Sequence, residues 1–315
     1  MSPNPGPGTI RGLRQLTTAD GRVAAVAVDQ RQALRAMLAK AGAPADSAAL
    51  RGFKIAVARV LGDLAPALLV DPQYGLPAVS TAPDVPARLP LMVAIEESGT
   101  LPWKGGKRSV ELAGWSPAQA RAAGACAAKL LVYVRPDHAS SFAEAQAVMT
   151  SVRAACRRAD LPFVLEILPY QLDGEDDASY RASFGRHQLE IAELGAALRP
   201  HLLKLAWPGP LGTSDPEPDG LARLAALDVP WVLLSAGAAF EVFEGRVERA
   251  LDEGGAVGFI AGRALWQDAV GAADVDAALR AGARPRLERL LAAIAGRGRA
   301  LSLPAAPQDD DWYRR

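Results

Sequence analysis

A lysine held inside an apolar run can lose its proton and attack a carbonyl, whereas an arginine cannot. Only six of the 35 basic residues are lysine (Lys40, Lys54, Lys104, Lys107, Lys129 and Lys204), so ordinary surface charge in this chain is written as Arg. Two of the six sit in apolar runs: Lys129 in AAKLLVYV and Lys204 in HLLKLAWP. Two ammoniums in one enclosed site should depress each other's pKa, and desolvation should add to the effect. Glu166 in PFVLEIL and Asp29 at the end of VAAVAVD place carboxylates in runs of the same kind. Two lysines with two carboxylates suit covalent chemistry through a lysine imine, with the acids moving protons. The bland alternative is two buried ion pairs, Lys129–Glu166 and Lys204–Asp29. It weighs less, because two such pairs side by side would stabilise the protein poorly.

Other chemistries find little support. The histidines are His138, His187 and His201, and none has a metal-ligand or triad spacing. No metal site and no cofactor is therefore expected, and His201, at a strand start, reads as a barrel-bottom or surface residue. Cys126 and Cys156 form neither a disulfide framework nor a ligand pair and read as two reduced thiols. Lys104 and Lys107 lie in a Gly-rich WKGGK loop, where they could touch an anionic substrate but more often are simply solvated. Lys54, in FKIAVARVL, is expected to snorkel from a helix surface.

The elements that must position these groups are eight short apolar runs. They end at or contain Asp29, Asp71, Glu96, Lys129, Glu166, Lys204, Ser235 and Arg263. Each is continuously hydrophobic, as expected of strands buried on both faces. Helical candidates alternate with them: 32–40, 48–64, 117–123, 142–159, 180–198, 220–226, 240–253 and 274–295. Eightfold β-then-α alternation predicts an α/β protein with one closed parallel (β/α)₈ TIM barrel. An open dinucleotide-binding sheet would want GxGxxG after its first strand, and Asp29-Gln30-Arg31 stands there instead. The barrel domain is expected over residues 10–300, between mobile tails at 1–9 and 301–315. The 74–88 stretch reads as a loop or an extra hairpin.

Catalytic groups of such barrels come from strand C-terminal ends and the loops after them. Every run here delivers a polar residue to that end. Asp71 before Pro72 and Glu96 beside Glu97 are the two most readily explained as structural. The last two runs, LLSAG (Leu233–Gly237) and IAGRALW (Ile260–Trp266), place Ser235, Gly237, Gly262 and Arg263 together. Small residues let an anion reach backbone N–H groups, and Arg263 can grip it with two hydrogen bonds.

The 315 residues carry 35 basic and 35 acidic groups, and half are hydrophobic. That balance gives no electrostatic case for a nucleic-acid or membrane-surface partner. The apolar runs fall far short of the ~20 residues of a membrane span. MSPNPGPGTI lacks the apolar core of a secretory signal, so a cytoplasmic protein is expected.

From about Val23 to Val270 the chain resembles the class I tagatose 1,6-bisphosphate aldolases and the related sulfofructose-1-phosphate aldolases. The resemblance rests on AVDQR (Ala27–Arg31), LLVDPQYG (Leu68–Gly75), AAKLLVYV, PFVLEIL, LLKLAWP, PWVLLSAG and GFIAGRALW, in that order. It implies that Lys204 forms the imine and that Glu166 and Lys129 assist the proton transfers around it. It further implies that Asp29 handles the substrate C4 hydroxyl, that Gln30 and Arg31 contact substrate, and that Ser235, Gly237, Gly262 and Arg263 hold an anionic head. Where the family often carries an acidic residue two positions after the lysine, this chain has Ala206, expected to point away from the lumen. The implied reaction cleaves a ketohexose 1-phosphate with an anionic C6 group to dihydroxyacetone phosphate and a three-carbon aldehyde. The partner is then a small sugar phosphate or sulfosugar phosphate, and the assembly a homo-oligomer. The alternative function is a non-catalytic sugar-phosphate-binding barrel with a regulatory role.

Overall fold

Eight parallel strands close into a ring in the computed structural model, which describes residues 5–303. In chain order the strands are β1 (Val23–Ala27), β2 (Ala67–Val70) and β3 (Leu91–Ala94), then a separate antiparallel hairpin of β4 (Leu101–Trp103) and β5 (Gly106–Arg108). They continue with β6 (Ala127–Tyr133), β7 (Phe163–Leu168), β8 (Leu202–Leu205), β9 (Trp231–Leu234) and β10 (Gly258–Ala261). The ring runs β1-β2-β3-β6-β7-β8-β9-β10 and closes where Val23 pairs with Gly258. That closure needs glycine: a Cβ at 258 would lie 1.8 Å from the Val23 carbonyl oxygen, and φ there is +144°.

The helices are α1 (Pro7–Gln15), α2 (Gln32–Lys40), α3 (Ser47–Leu61), α4 (Gly75–Thr81), α5 (Pro117–Ala122) and α6 (Ala139–Arg158). After them come α7 (Asp177–Ala197), α8 (Gly220–Ala225), α9 (Phe240–Asp252), α10 (Arg263–Trp266), α11 (Val275–Ala278) and α12 (Arg284–Ile294). Among the described residues, no helix is long and apolar enough to cross a membrane.

Strand alternation divides the core. Val26, Leu68, Val93, Leu130, Leu165, Leu203, Leu233 and Phe259 face the helices. Ala25, Ala27, Leu69, Met92, Ala127, Val164, Leu202, Val232 and Ile260 fill the lumen. Every strand is thus covered on both sides, which is why the runs are continuously apolar in sequence.

Four elements differ from expectation. Residues 7–9, expected in the N-terminal tail, begin α1. Proline suits a first helical turn, and the Gly8 and Thr9 N–H groups donate to the Asp160 carboxylate at 2.7 and 3.0 Å. Leu13 of that helix and Leu16 just after it join the lumen cluster, as does Leu301, so the inner end of the expected C-terminal tail is also packed. Residues 1–4 and 304–315 of the expected tails lie outside the described residues. The 74–88 stretch contains α4, whose first N–H groups, on Tyr74 and Gly75, are taken by Asp71. The helix expected over 274–295 is interrupted by a π-turn at Leu279–Ala283. Pro285 has no N–H and its ring crowds the carbonyl four residues back, so the ladder must widen there.

Candidate active site

Lumen-facing positions recur every second residue, and five strands carry an apolar lumen residue and then a charged one toward the C-terminal end. Asp29 stands two residues past Ala27, Glu96 two past Ala94, Lys129 two past Ala127, Glu166 two past Val164 and Lys204 two past Leu202. Lys129 and Lys204 are 1% and 4% exposed, and Glu96 and Glu166 are 5% and 6% exposed.

Lys129 is the centre of this cluster. Its Nζ donates to Asp29 Oδ2 at 2.9 Å and to Glu96 Oε1 at 2.6 Å, and it is ion-paired with Glu166 Oε2 at 3.0 Å. Lys204 Nζ donates to the same Glu166 Oε2 at 2.8 Å. The remaining oxygen of Glu96 accepts the Leu131 N–H at 3.0 Å. Of the two isolated pairs considered from sequence, the Lys129–Glu166 contact exists, but Lys204 meets Glu166 and not Asp29.

The charges follow this geometry. Burial alone would lower the Lys129 pKa, but Asp29, Glu166 and Glu96 outweigh it and hold the ammonium well above its ordinary value. The expectation that neighbouring lysines would depress it is thus overturned: the second ammonium is one charge against three carboxylates. Burial would raise the Asp29 carboxyl, but Lys129 and Lys204 bring it well below the usual range. Burial would raise the Glu166 carboxyl too, but the same two lysines hold it below the usual range. At neutral pH the cluster therefore offers two ionised carboxylates beside Lys204 and a permanently charged Lys129.

Glu96, read as structural from its place beside Glu97, belongs to the cluster. Asp71 is structural as expected, but its partner was not foreseen. Lys54 does not snorkel: it is 0% exposed and pairs with Asp71 Oδ1 at 2.8 Å. The signal was its place on the apolar stripe Leu50, Phe53, Lys54, Val57 and Leu61 of α3, all of them buried. Tyr133, unremarked in the sequence, shares the lumen parity of Lys129. Burial raises its pKa, and the Glu166 charge raises it further.

The residues expected to hold an anion lie close to one another. Ser235 is buried, and Ala236 and Gly237 follow it with φ of +50° and +81°. A Cβ on Gly237 would sit 3.3 Å from Arg263 Cζ, so the guanidinium lies against this turn. Among the described residues, no carboxylate lies within ion-pair distance of Arg263, so it is not spent on a structural pair. Gln30 reaches over Gly262: its Nε2 is 3.3 Å from where a Cβ would be, and its Oε1 is buried without a partner.

Two positions are corrected. Arg31, expected to contact substrate, is turned into the protein. It donates to the Glu96 carbonyl at 2.6 Å and to Gln73 Oε1 at 3.0 Å, because the backbone beside Glu96 needs a donor. Ala206 does not point away from the lumen. It has the parity of Lys204 and packs with Phe184 and Leu234, flanked by Leu168, Tyr180 and Leu211.

The three histidines stay outside the cluster, as expected. His138 caps α6, His187 Nδ1 lies 3.4 Å from Glu190 Oε2 on α7, and His201 Nδ1 accepts the Phe163 N–H at the start of β7. Both cysteines are buried, which pushes their thiols up to about 12. The β4–β5 hairpin, which carries Lys104 and Lys107, is fastened down. The Lys107 N–H donates to the Tyr170 hydroxyl at 3.1 Å, and the Lys104 carbonyl lies 3.1 Å from His138 Nε2.

Residues 23–268 match the model of the DeoC/LacD family aldolase. A tagatose 1,6-diphosphate aldolase of Staphylococcus aureus is 30% identical over 281 residues, 83% of this chain and 85% of the relative. Tagatose 1,6-diphosphate aldolase 2 of Enterococcus faecalis is 28% identical over 282 residues, 84% of each. Among solved structures, an archaeal fructose 1,6-bisphosphate aldolase superposes with a TM-score of 0.61 at 18% identity, covering 91% of this chain and 99% of its own. The fructose-bisphosphate aldolase of Plasmodium falciparum gives 0.69 at 14%, covering 93% and 95%. Both have the same barrel.

Proposed function

Because the chain belongs to the DeoC/LacD family of aldolases, and so is a carbon–carbon lyase, we propose that it cleaves a ketohexose 1,6-bisphosphate through an imine on Lys204. The observation that carries this reading is the Lys204–Glu166 contact inside the lumen, next to a cluster that keeps Asp29 ionised. Glu166 takes a proton from Lys204, and the neutral amine adds to the C2 ketone. Water leaves, with Glu166 returning the proton it needs, and a protonated imine results. The Asp29 carboxylate removes the C4 hydroxyl proton, the C3–C4 bond breaks, and its electron pair moves into the imine to give an enamine. The C4–C6 fragment departs as an aldehyde. Asp29 gives its proton to C3, and hydrolysis of the imine then releases dihydroxyacetone phosphate and restores the amine. In this scheme the iminium is the electron sink, so no metal or cofactor is required. The tagatose configuration is the first choice of substrate, on the names of the two relatives; sulfofructose 1-phosphate is the second. A cytoplasmic homo-oligomer acting on this small molecule completes the reading. No observation favours the non-catalytic alternative, since all four expected site residues are present and gathered.

The test is reductive trapping. Borohydride with dihydroxyacetone phosphate should add a stable mass on the Leu202–Trp207 segment, and cleavage should survive EDTA unchanged. An adduct on Lys129, or activity restored by zinc after chelation, would overturn the scheme. Parallel assays on tagatose 1,6-bisphosphate, fructose 1,6-bisphosphate and sulfofructose 1-phosphate decide the substrate.

Arg263 provides a second test. Loss of a charge-assisted bidentate grip on the anion should cost roughly 2–3 kcal/mol, or about 30–150-fold in KM for Arg263→Ala. Arg263→Lys should recover only part of this, because a point charge cannot reproduce the fork. Wild-type kinetics in both variants would place the anion elsewhere.

A further inference from the structure

The Lys54 side chain is buried far from solvent, on a helix outside the strand ring, and all three of its ammonium protons have acceptors. One goes to Asp71 Oδ1 at 2.8 Å, one to the Gln30 carbonyl at 2.8 Å and one to the Val28 carbonyl. Those two carbonyls flank a single residue, Asp29. We infer that Lys54 is a positioning residue for the aldol cleavage: it clamps the backbone on both sides of Asp29 and so aims that carboxylate.

A purely structural role fits these contacts poorly. A buried ion pair stabilises no better than apolar side chains of the same volume, so stability alone gives little reason to place a lysine on the apolar stripe of α3. Two backbone acceptors at the exit of β1, however, need a donor that reaches them from the helix layer. Asp71 fixes the clamp from the other side, because its carboxylate also accepts the Tyr74 and Gly75 N–H groups at the start of α4. The line of contacts runs from the α4 N-terminus through Asp71 and Lys54 to the peptide groups around Asp29. The far end of the Asp29 side chain is held by Lys129. Asp29 is thus fixed at its backbone by one lysine and at its carboxylate by another.

The inference rests on the imine scheme above, in which Asp29 acts after the imine has formed. Loss of the clamp should therefore slow cleavage without slowing imine formation. Lys54→Met alone leaves Asp71 buried without a counter-charge, so the informative variant is Lys54→Met/Asp71→Asn. It removes both charges and keeps an acceptor for the α4 N–H groups. In this variant, the rate at which borohydride traps the dihydroxyacetone phosphate adduct should stay within about twofold of wild type. The kcat for cleavage of the ketose bisphosphate should fall by about 100-fold, the scale of a small misplacement of a reacting group, with KM little changed. Lys54→Gln/Asp71→Asn, which likewise strands no charge, replaces that double variant if it yields too little protein, and it carries the same expectation. Cleavage at the wild-type rate, or trapping and cleavage falling together, would overturn the positioning role. Failure of the wild type itself to form an adduct would overturn the imine scheme, and this inference with it.

Discussion

Lys204→Met should lower kcat for cleavage by roughly 10⁴-fold or more, the usual scale for removing a covalent nucleophile, and should abolish the reductively trapped adduct. The fold should hardly notice. Glu166 Oε2 keeps Lys129 at 3.0 Å after Lys204 is gone, so no carboxylate is stranded. Methionine also nearly matches lysine in length in a place that is 4% exposed and lined by Leu202 and Val232. A denaturation midpoint close to wild type, together with lost activity, separates chemistry from stability. Residual activity of one tenth or more, or an adduct that persists on another lysine, would remove Lys204 from its role.

Lys129→Met should behave in the opposite way and damage the fold. It leaves Asp29, Glu96 and Glu166 converging on an empty centre, and breaking a buried ion pair by removing one partner costs about 3–5 kcal/mol. The pH dependence of that deficit is diagnostic. In the wild type the Asp29 and Glu166 pKa values lie below their unfolded-state values, so both groups stabilise the fold above the ordinary carboxylate range. That stabilisation is lost only as acid titrates the folded-state groups. Without the Lys129 ammonium, Lys204 alone opposes burial and the mutual repulsion of three carboxylates, so the carboxylates left over rise above their unfolded-state values. Protonation then relieves the variant, and its deficit relative to wild type should shrink between about pH 7 and about pH 5. Urea midpoints of both proteins at the two pH values measure it. A deficit that is constant or grows in acid would mean that Lys129 does not hold the cluster together.

Much of this arrangement is legible in the sequence, for a specific reason. Strands buried on both faces admit few polar residues, so Asp29, Lys129, Glu166 and Lys204 stand out in their runs, and barrel architecture then sends them to one end. What the chain hides is pairing. Which ammonium meets which carboxylate depends on the stagger of neighbouring strands, and spacing along the chain says nothing about that. Hence the chain alone allows Lys204 to meet Asp29 or Glu166, and the structure gives Glu166. Glu96 was hidden by Glu97, although counting two residues on from Ala94 puts it in the lumen. Lys54 was misread by residue type, since its helical position was already that of a core residue. Helix α1, with two glycines in PGTIRGLRQ, has weak intrinsic propensity; its first turn is held by Asp160, more than 150 residues away.

One carboxylate oxygen, Glu166 Oε2, receives both lysines. An ammonium at Lys204 and a protonated imine on the same nitrogen carry the same single positive charge, so the resting cluster already has the electrostatics of the covalent intermediate. Substrate that becomes bonded there enters a field built for its cationic form, and no dipole has to swing round as the charge appears. The same field selects among inhibitors. A mimic of the open-chain sugar with a cationic nitrogen in place of C2 would meet the Lys204 ammonium as a like charge, whereas a neutral carbonyl compound able to condense with that lysine would inherit the whole arrangement.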